Sequence, residues 1–433
     1  MSKTEDTALV WYRNDLRTLD HTGLRKAVES GYRVVAFYTF NPKHYHTHRW
    51  GFKKTDRFRA QFLIESVQAM QRTLKSLNIS LIIDTKTPDK SLPEWIKKYK
   101  VKEIYLQHEW TEEEKKEEKA VSAQIDSNII WNRHYEQFLF HPSDLPFSRS
   151  QVPEIFGTFR KRCEKEVQLR PSFSGPNALP KSNCIDVDGE FPNLADLGLP
   201  SILENDQRSA FPFLGGTKSA LERLEQYFWK SKKLSTYKNT RNGLLGTDYS
   251  SKFSPWLANG SISPKNLFWE IKRYENEIQK NQSTYWLIFE LIWRDYFKYI
   301  SLKHGNKIFK IGGILDRDYL WSSDMERFRQ WAEGLTPEPF VNANMIELKR
   351  TGWMSNRGRQ NVASYFAKDM KMDWRIGAAY FESLLLDYDV HSNYGNWMYV
   401  SGVGNDPRDR KFDVRWQSNR YDPKNKFINL WTK

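Results

Sequence analysis

The sequence predicts an α/β domain with a doubly wound parallel sheet, joined by a long linker to an all-helical domain. Up to residue 132, short apolar runs alternate with helical patterns, as is typical of a parallel sheet covered by helices. From residue 209 onward the apolar spacing is helical. Prolines interrupt the pattern in between and indicate a linker. We therefore place the domains at residues 1–135 and 209–433, and the linker at 136–208.

Five apolar runs in the first domain predict strands at residues 8–12, 34–40, 81–83, 104–107 and 129–131. Residues 55 and 56 can cap a long helix, since Thr and Asp are preferred there. The predicted apolar face of that helix is formed by Leu63, Val67, Met70, Leu74 and Leu77. Neither G-x-G-x-x-G nor G-x-x-x-x-G-K-S/T occurs, so the sequence predicts neither a dinucleotide fingerprint nor a P-loop.

Helical patterns recur in the linker and in the second domain. One helix is predicted in the linker at 156–167. Ser263 followed by Pro264 is a typical helix start, and Ser283 opens a second pattern that ends near Gly305. Further helices are predicted at 356–370 and 374–386. The second half therefore lacks the strand–helix alternation of the first.

Composition excludes several classes of protein. The 433 residues include 67 Lys and Arg against 53 Asp and Glu, which gives a formal net charge of +14, and 15% of the chain is aromatic. Disordered chains are poor in aromatic residues. The sequence has no apolar run of membrane-spanning length, and residues 1–7 do not resemble a secretory signal. With only Cys163 and Cys184, we expect a reducing cytoplasmic or other intracellular setting and no disulfide framework.

The positive charge suggests a polyanionic partner, because basic proteins attract phosphate backbones. Tryptophan and tyrosine side chains could stack on bases or on a planar cofactor. A basic enzyme whose aromatic residues fill its core explains the same composition, so this alternative stays open.

Glu290, Trp293 and Arg294 share one helical face among bulky aromatic residues. A partly buried carboxylate and guanidinium need polar partners, which a ligand could supply. A structural ion pair within the helix is the alternative, and the motif alone favours it.

Three polar segments are candidate binding elements, each with a plain structural alternative. Residues 249–254 place hydroxyl groups and a lysine before a helix, which suits phosphate or an ordinary cap. Residues 356–361 carry two arginines, of which one could bind an inner ligand and the other an outer phosphate. The alternative for this segment is a solvated helix start. Asp387 and Asp389 suit a metal, acid–base chemistry or a turn.

Metal binding is disfavoured elsewhere in the sequence. His44, His46 and His48 would share one face of a strand, but neither a carboxylate nor a cysteine lies close to them in the sequence. Cys163 and Cys184 lack metal or redox spacing. No metal site is predicted.

Several segments together resemble the photolyase/cryptochrome family. Residues 10–17 (VWYRNDLR) are similar to its opening strand and turn, and 237–243 with 248–256 to its flavin-phosphate loop. Residues 293–297 and 351–361 match its helical signatures. The segments 393–397 and 402–408 resemble the cryptochrome DASH branch in particular. The resemblance spans nearly the whole chain.

The resemblance implies an antenna domain followed by a helical domain that binds FAD. By motif position, the pyrophosphate and ribityl region would be held by Tyr237, Ser250, Ser251, Lys252, Phe253 and Ser254. The flavin would be lined by Arg294, Asn356, Arg359, Asp387, Asp389 and Asn393, the last facing its N5 position. Trp397, Trp374 and Trp321 match the tryptophan chain that carries electrons to excited flavin, although each alone would be interpreted as a core residue.

The implied activity is repair of cyclobutane pyrimidine dimers by a photoinduced electron. Glu290, Asn356 and Trp293 would contact the lesion, while Arg241 and Arg357 would hold phosphates.

Two positions in the lesion pocket depart from double-strand photolyases. Gln360 replaces a Met, and Tyr399 replaces a second Trp. Both make the pocket more polar, so single-stranded DNA is the expected substrate. Asn342 and Ile346 stand where the family commonly has an Asp and an Arg, which suggests that a structural ion pair is missing.

The resemblance further implies a second cofactor and leaves rival functions open. Glu112 matches the position that contacts 5,10-methenyltetrahydrofolate in DASH proteins, although its charge-rich segment also suits a solvated helix start. A blue-light photoreceptor that binds nucleic acid without repair is the alternative function, and a non-photochemical nucleic-acid-binding protein is a third. We expect a monomer that acts away from membranes, with DNA as partner and RNA as a further candidate.

Overall fold

The computed structural model describes residues 6–187, 189–202 and 204–433. Within them, the amino-terminal half forms a parallel sheet in the order β3-β2-β1-β4-β5, which confirms the predicted α/β fold. The strands are β1 (Thr7–Trp11), β2 (Arg33–Thr39), β3 (Ser80–Asp84), β4 (Val101–Gln107) and β5 (Ile130–His134).

Helices cover both faces of the sheet, so the buried strand residues alternate between two cores. Val10 and Ala36 face one core, whereas Leu9 and Val35 face the other. The helices are α1 (Thr22–Glu29), α2 (Arg57–Ser76), α3 (Pro88–Lys98) and α4 (Glu112–Ser122).

The predicted cap and apolar face of α2 are largely confirmed. The Asp56 carboxylate caps α2 by accepting from the Arg57 backbone amide. Of the predicted apolar face, Val67, Met70 and Leu74 are buried, while Leu63 and Leu77 are only partly buried.

The carboxyl-terminal half is helical, as predicted. The linker carries α5 (Phe156–Glu166). It is followed by α6 (Thr217–Leu224), α7 (Tyr237–Thr240), α8 (Ser254–Ala258), α9 (Pro264–Glu277), α10 (Gln282–His304), α11 (Met325–Glu333), α12 (Pro339–Thr351), α13 (Asn356–Ser364), α14 (Trp374–Leu384), α15 (Val390–Ser401), α16 (Val414–Tyr421) and α17 (Lys426–Thr432). We expected Ser283 to open a helix, but α10 begins one residue earlier, because the side chain of Asn281 caps it by accepting from two backbone amides.

Buried polar contacts join the α/β half to the helical half. Asp295 on α10 accepts hydrogen bonds from the backbone amides of Leu139 and Phe140, at 2.9 and 2.7 Å. Arg17, after β1, donates to the carbonyl of Gly260. Gly260 has φ +72°, and a Cβ there would lie 2.2 Å from the Asn14 carbonyl oxygen, so this close approach requires glycine.

The histidine pattern does not form a strand face. His44 ends a short 3₁₀ turn (Pro42–His44), and its ring lies 3.6 Å from the Glu117 carboxylate. In the described part of the chain, no three His, Cys, Asp or Glu side chains come together as metal ligands. None of the described helices is long and apolar enough to cross a bilayer.

Candidate functional site

A cavity lies between α13, α14 and α15 and collects many of the residues predicted to contact a flavin. Its polar lining consists of Asn356, Arg359, Gln360, Asp387, Asp389, Asn393 and others, and Trp397 and Phe381 supply apolar walls. Ser355 fixes the start of α13 by accepting from the Gly358 amide at 3.0 Å. Asn356, Arg359 and Gln360 therefore project from one face of the first turns of this helix.

Arg359 and Asp387 form an ion pair in the cavity wall. Arg359 Nη2 lies 2.9 Å from Asp387 Oδ2, and Arg359 Nε donates to the Met354 carbonyl. Asp387 Oδ1 is buried and has no hydrogen-bond partner within the protein. A buried carboxylate oxygen without a donor is costly, so the site suits a ligand that brings an N–H or O–H group.

A second charged pair forms the other side of the cavity. Asp389 caps α15 by accepting from the Ser392 amide at 2.8 Å, and Lys298 Nζ donates to its second oxygen. Burial alone would raise the pKa of Asp389, but Lys298, His391 and Arg294 together lower it, so this carboxylate stays ionised. Lys298 was missed by the sequence analysis, although it stands four residues after Arg294 on the same face of α10.

Asn393 lines the same cavity from the first turn of α15. Its amide nitrogen donates to the Ala378 carbonyl at 2.9 Å, which fixes the side-chain orientation. The amide oxygen is then the group available to a ligand.

Arg294 does not line this cavity. Its guanidinium donates to the carbonyls of Gln137 and Leu257, at 2.5 and 3.0 Å. It thereby holds the start of the linker against the last turn of α8. The structure therefore gives Arg294 a positioning contact, and its predicted flavin contact stays a prediction.

The predicted phosphate loop, residues 249–254, is shaped by a residue that sequence reasoning missed. Arg223 on α6 donates to the carbonyls of Ser250 and Ser251, both at 3.0 Å, and pairs with Asp248 at 2.8 Å. Ser254 then begins α8, and Phe253 packs in the core. Arg223 thereby occupies the carbonyls of Ser250 and Ser251 and holds the loop against α6.

Lys252 stands in this loop with a side-chain amino group that has no hydrogen-bond partner within the protein. It has φ +60°, and its side chain is buried. Nζ lies 3.3 Å from the centroid of the Tyr249 ring. Burial, with Arg223 nearby, holds the pKa of Lys252 well below its ordinary value. An anionic ligand would restore a partner to this group.

The candidate lesion site lies along α10. Glu290 does not pair with Arg294 on its own helix, which was the structural alternative; instead its carboxylate lies 2.9 Å from Arg241. Burial raises the pKa of Glu290, while Arg241 opposes this effect. Tyr237, at the start of α7, is buried beside this pair, and burial raises its pKa to about 12.

Trp293 forms an aromatic wall on the same helix. Its ring stacks on Phe156 of α5 with centroids 3.6 Å apart, and Tyr399 meets it edge-on at 5.9 Å. The Tyr399 hydroxyl accepts from Arg410 at 2.8 Å. Phe156 was missed because it belongs to the linker, where the sequence offered no functional motif.

Arg357 and Gln360 differ in their surroundings. The two Nη atoms of Arg357 donate to Gln417 and Asn242, and the guanidinium lies over the Tyr421 ring, whereas its buried Nε has no hydrogen-bond partner within the protein. Gln360 lines the cavity, and its buried amide oxygen has no partner within the protein.

The three predicted electron-transfer tryptophans lie on or next to α14 and α15, and their role in electron transfer stays a prediction. Trp397 lines the cavity and packs on Gly377 of α14, where a Cβ would lie 2.3 Å from its ring. Trp374 starts α14 one turn earlier, is fully buried and donates to the Ile311 carbonyl at 2.9 Å. Trp321 is adjacent to that turn, because the backbone of Ser322 pairs with residues 371 and 373.

Glu112 lies at the start of α4, beside the helical half. Its carboxylate accepts from the Asn306 side chain at 2.7 Å and pairs with Lys116 at 2.6 Å. The predicted antenna residue therefore stands where the two halves meet.

Comparison with known proteins matches both halves of this arrangement. Residues 8–181 match the family model "DNA photolyase", and residues 286–433 match "FAD binding domain of DNA photolyase". The cryptochrome DASH of Gloeobacter violaceus is 45% identical over 427 residues, covering 98% of this chain and 85% of that protein. The chain belongs to the photolyase/cryptochrome family, in its cryptochrome DASH branch.

Other members agree with this assignment. The cryptochrome DASH of Xenopus laevis is 45% identical over 424 residues, covering 97% of this chain and 81% of that protein. The crystal structure of a cryptochrome from Synechocystis sp. PCC6803 superposes with a TM-score of 0.95 at 44% identity, covering 100% of this chain and 89% of that one. A class III photolyase from Agrobacterium tumefaciens, at 23% identity and a TM-score of 0.83, shares the fold.

The DASH assignment makes the helical half an FAD-binding domain, and its residues fit that cofactor. Unpartnered buried atoms on Asp387, Gln360 and Trp397 offer acceptors and a donor to a heteroaromatic ring. The unpartnered Lys252 amino group suits a phosphate, whose negative charge would favour the protonated form of the lysine. The chemical character of the site therefore agrees with FAD, which carries a planar ring at one end and phosphates in the middle.

Proposed function

We propose that this protein is a light-driven lyase that splits cyclobutane pyrimidine dimers in single-stranded DNA. The observation that carries the proposal is the Glu290–Arg241 pair beside the Trp293 wall, because it places a carboxyl group, a cation and a flat apolar surface together. These three groups suit the carbonyls, the phosphate and the faces of a damaged dinucleotide, respectively.

When bound, reduced FAD supplies a one-electron donor that blue light excites. The protein must hold the dimer close to it and keep water away. Trp293, backed by Phe156, supplies the apolar wall, and Asn356 and Gln360 supply amide groups where the cavity opens. An electron accepted by the dimer breaks the two carbon–carbon bonds between the pyrimidines and then returns to its source.

Glu290 is the group that we assign to the lesion bases. Because burial raises its pKa, Glu290 retains a proton more readily and can donate it in a hydrogen bond to a pyrimidine carbonyl. Arg241 would exchange the Glu290 carboxylate for a DNA phosphate as the strand binds. Arg357 would support the same phosphate region from α13.

The preference for single strands rests on Gln360 and Tyr399. Extracting a dimer from duplex DNA costs a few kcal/mol. The polar Gln360 amide and the Arg410-bound Tyr399 hydroxyl offer less apolar contact to offset that cost. A single strand avoids most of it.

A single experiment tests the proposed activity. A thymine dimer in a single-stranded oligonucleotide is illuminated with blue light in the presence of protein with pre-reduced FAD, and restored thymines are quantified. We expect light-dependent turnover that is absent in the dark. Light-dependent changes in the protein without any restored thymine would instead support the photoreceptor alternative, for which Trp374 and Trp321 would serve equally well.

We further propose 5,10-methenyltetrahydrofolate as an antenna between α4 and the helical half. The Glu112 carboxylate, which accepts from Asn306 across the two halves, suits the amino and N–H donors of a pterin. Added folate should give an absorbance band at wavelengths shorter than that of FAD, with reduced occupancy in Glu112→Gln. Equal occupancy in Glu112→Gln and in the exposed control Glu222→Gln would contradict this assignment.

A further inference from the structure

Trp397, which lines the cavity, contacts a second buried tryptophan, Trp331, that none of the family motifs includes. The ring of Trp331, on α11, lies 6.3 Å from that of Trp397, at an interplanar angle of 72°. Trp331 has no exposed surface, and its indole N–H donates to the Val362 carbonyl at 3.2 Å. Phe381 fills the space beside both rings, with centroids 5.1 Å from Trp397 and 6.2 Å from Trp331. The two indoles are therefore held in a fixed, buried contact.

Tyr380 extends this contact away from Trp374 and toward the α/β half. Its ring lies 5.9 Å from Trp331 and 5.4 Å from Phe52, which precedes α2. Asp56 is close, because its backbone amide donates to the Ser383 carbonyl, one turn beyond Tyr380 on α14. Burial raises the pKa of Tyr380, and the carboxylates of Glu333 and Asp56 raise it further. The carboxylates of Glu333 and Asp56 therefore lie close enough to act on the phenol, which keeps its proton in the resting state.

We propose that Trp331 and Tyr380 form a second electron-donating branch, which meets the Trp374–Trp321 branch at Trp397. The inference rests on the proposed photochemistry, and it adds two redox-active residues to it. Trp and Tyr are the side chains that donate single electrons most readily in such chains, whereas Phe52 and Phe381 serve only as packing.

The steps of this branch balance in electrons and protons. Trp397, after losing one electron to the photoexcited cofactor, takes one electron from the Trp331 indole. Trp331 then takes one electron from Tyr380, whose phenol proton passes to the carboxylate of Asp56 or Glu333. A thiol in solution returns one electron to Tyr380 and releases its own proton to water, and the protonated carboxylate returns the phenol proton.

The geometry assigns the two branches different properties. Trp331 has no exposed surface and lies among apolar side chains, so a positive charge on it is poorly solvated and returns easily to Trp397. Oxidised Tyr380 is trapped only when its proton has moved. We therefore expect the second branch to be the slower one and to become visible when the Trp374 branch is interrupted.

The test uses FAD-loaded protein with dithiothreitol as the external thiol under constant blue light. Trp374→Phe should photoreduce FAD much more slowly than the parent, but not at zero rate. Trp374→Phe with Trp331→Phe should fall to the rate of Trp397→Phe. The matched control combines Trp374→Phe with Trp11→Phe, a buried tryptophan of β1, and should keep the residual rate. Rates are normalised to bound FAD.

A second variant keeps the proposal testable if the Trp331 variant does not fold. Tyr380→Phe removes only a hydroxyl, and in the Trp374→Phe background it should abolish a light-induced tyrosyl signal in electron paramagnetic resonance. An unchanged residual rate in the Trp374/Trp331 double variant, or a zero rate in Trp374→Phe alone, would overturn the second branch. Photoreduction of Trp397→Phe at the parent rate would instead show that the proposed entry point itself is wrong.

Discussion

Arg241 Nη2 lies 2.9 Å from Glu290 Oε1, and this ion pair joins the residue after α7 to the middle of α10. Both side chains are largely buried, so each is held near its partner by a reduced dielectric. The pair combines the group that we assign to a DNA phosphate with the group that we assign to the lesion bases. A bound lesion would therefore replace Arg241 as the partner of Glu290, and its phosphate would replace Glu290 as the partner of Arg241.

Replacing Glu290 should separate repair from DNA binding. We expect Glu290→Ala to lower the rate of dimer repair roughly 10- to 100-fold, the effect of losing a hydrogen bond to a charged or strongly polar group. Binding of undamaged single strands should persist or strengthen, since Arg241 is then free for phosphate. Initial repair rates and fluorescence-anisotropy titrations measure the two effects. The exposed Glu277→Ala on α9 is the control, and equal losses in repair and binding would contradict the assignment.

The polarity of the lesion pocket should determine the preference for single strands. We expect Gln360→Met combined with Tyr399→Trp to increase repair of a dimer in duplex DNA relative to the same dimer in a single strand, because added apolar contact offsets the unpairing cost. Titrations at two salt concentrations should show both affinities falling with salt, since the net charge is +14. The polarity argument is wrong if the duplex-to-single-strand ratio does not change.

Lys252 should contribute to FAD affinity through its unpartnered side-chain amino group. Charge-assisted hydrogen bonds contribute about 1.5–3 kcal/mol, so Lys252→Met should weaken FAD binding roughly 10- to 100-fold. The parent protein should be yellow as purified, with one FAD per chain. The control is Lys233→Met, an exposed change in the preceding 3₁₀ turn (Lys233–Thr236), which should bind FAD with the affinity of the parent. Fluorescence titration of released flavin measures the difference. A colourless parent that takes up no added FAD would contradict the whole cofactor assignment.

Glu347 on α12 should make stability depend on pH. Burial raises its pKa to about 8, with Lys252 and Arg359 acting in the opposite direction, and its Oε2 has no hydrogen-bond partner within the protein. In the unfolded chain this carboxyl group loses its proton near its ordinary pKa of 4.5. Between pH 4.5 and about 8 the unfolded state therefore binds fewer protons, and the free energy of unfolding falls as pH rises.

The isosteric Glu347→Gln variant should remove this pH dependence. We expect it to raise the melting temperature more at pH 8 than at pH 5. The corresponding gain in the free energy of unfolding at pH 8 should be up to about a few kcal/mol. The exposed Glu222→Gln should leave the pH profile of the parent unchanged. If the parent and Glu347→Gln melt in parallel across this range, Glu347 is ionised in the folded protein.

Much of the fold could be predicted because the strands and helices have local signals. Each strand was placed to within three residues at either end, and Asp56 and Ser263 were correctly placed as helix caps, because apolar periodicity and capping act over a few neighbouring residues. Motif resemblance indicated the family and the cavity residues Asn356, Arg359, Asp387 and Asn393. These are short, continuous segments whose residue types are characteristic.

Tertiary structure decided which charged and aromatic groups meet. Glu290 could be paired with Arg294 from its spacing on the helix, yet it pairs with Arg241, because packing of α7 against α10 brings that guanidinium closer. Arg223 at the phosphate loop, Lys298 at Asp389 and Trp331 at Trp397 lie far from their partners in the sequence. Such contacts depend on how whole helices are placed relative to one another. The packing of their apolar faces determines that placement, and a local sequence pattern does not encode it.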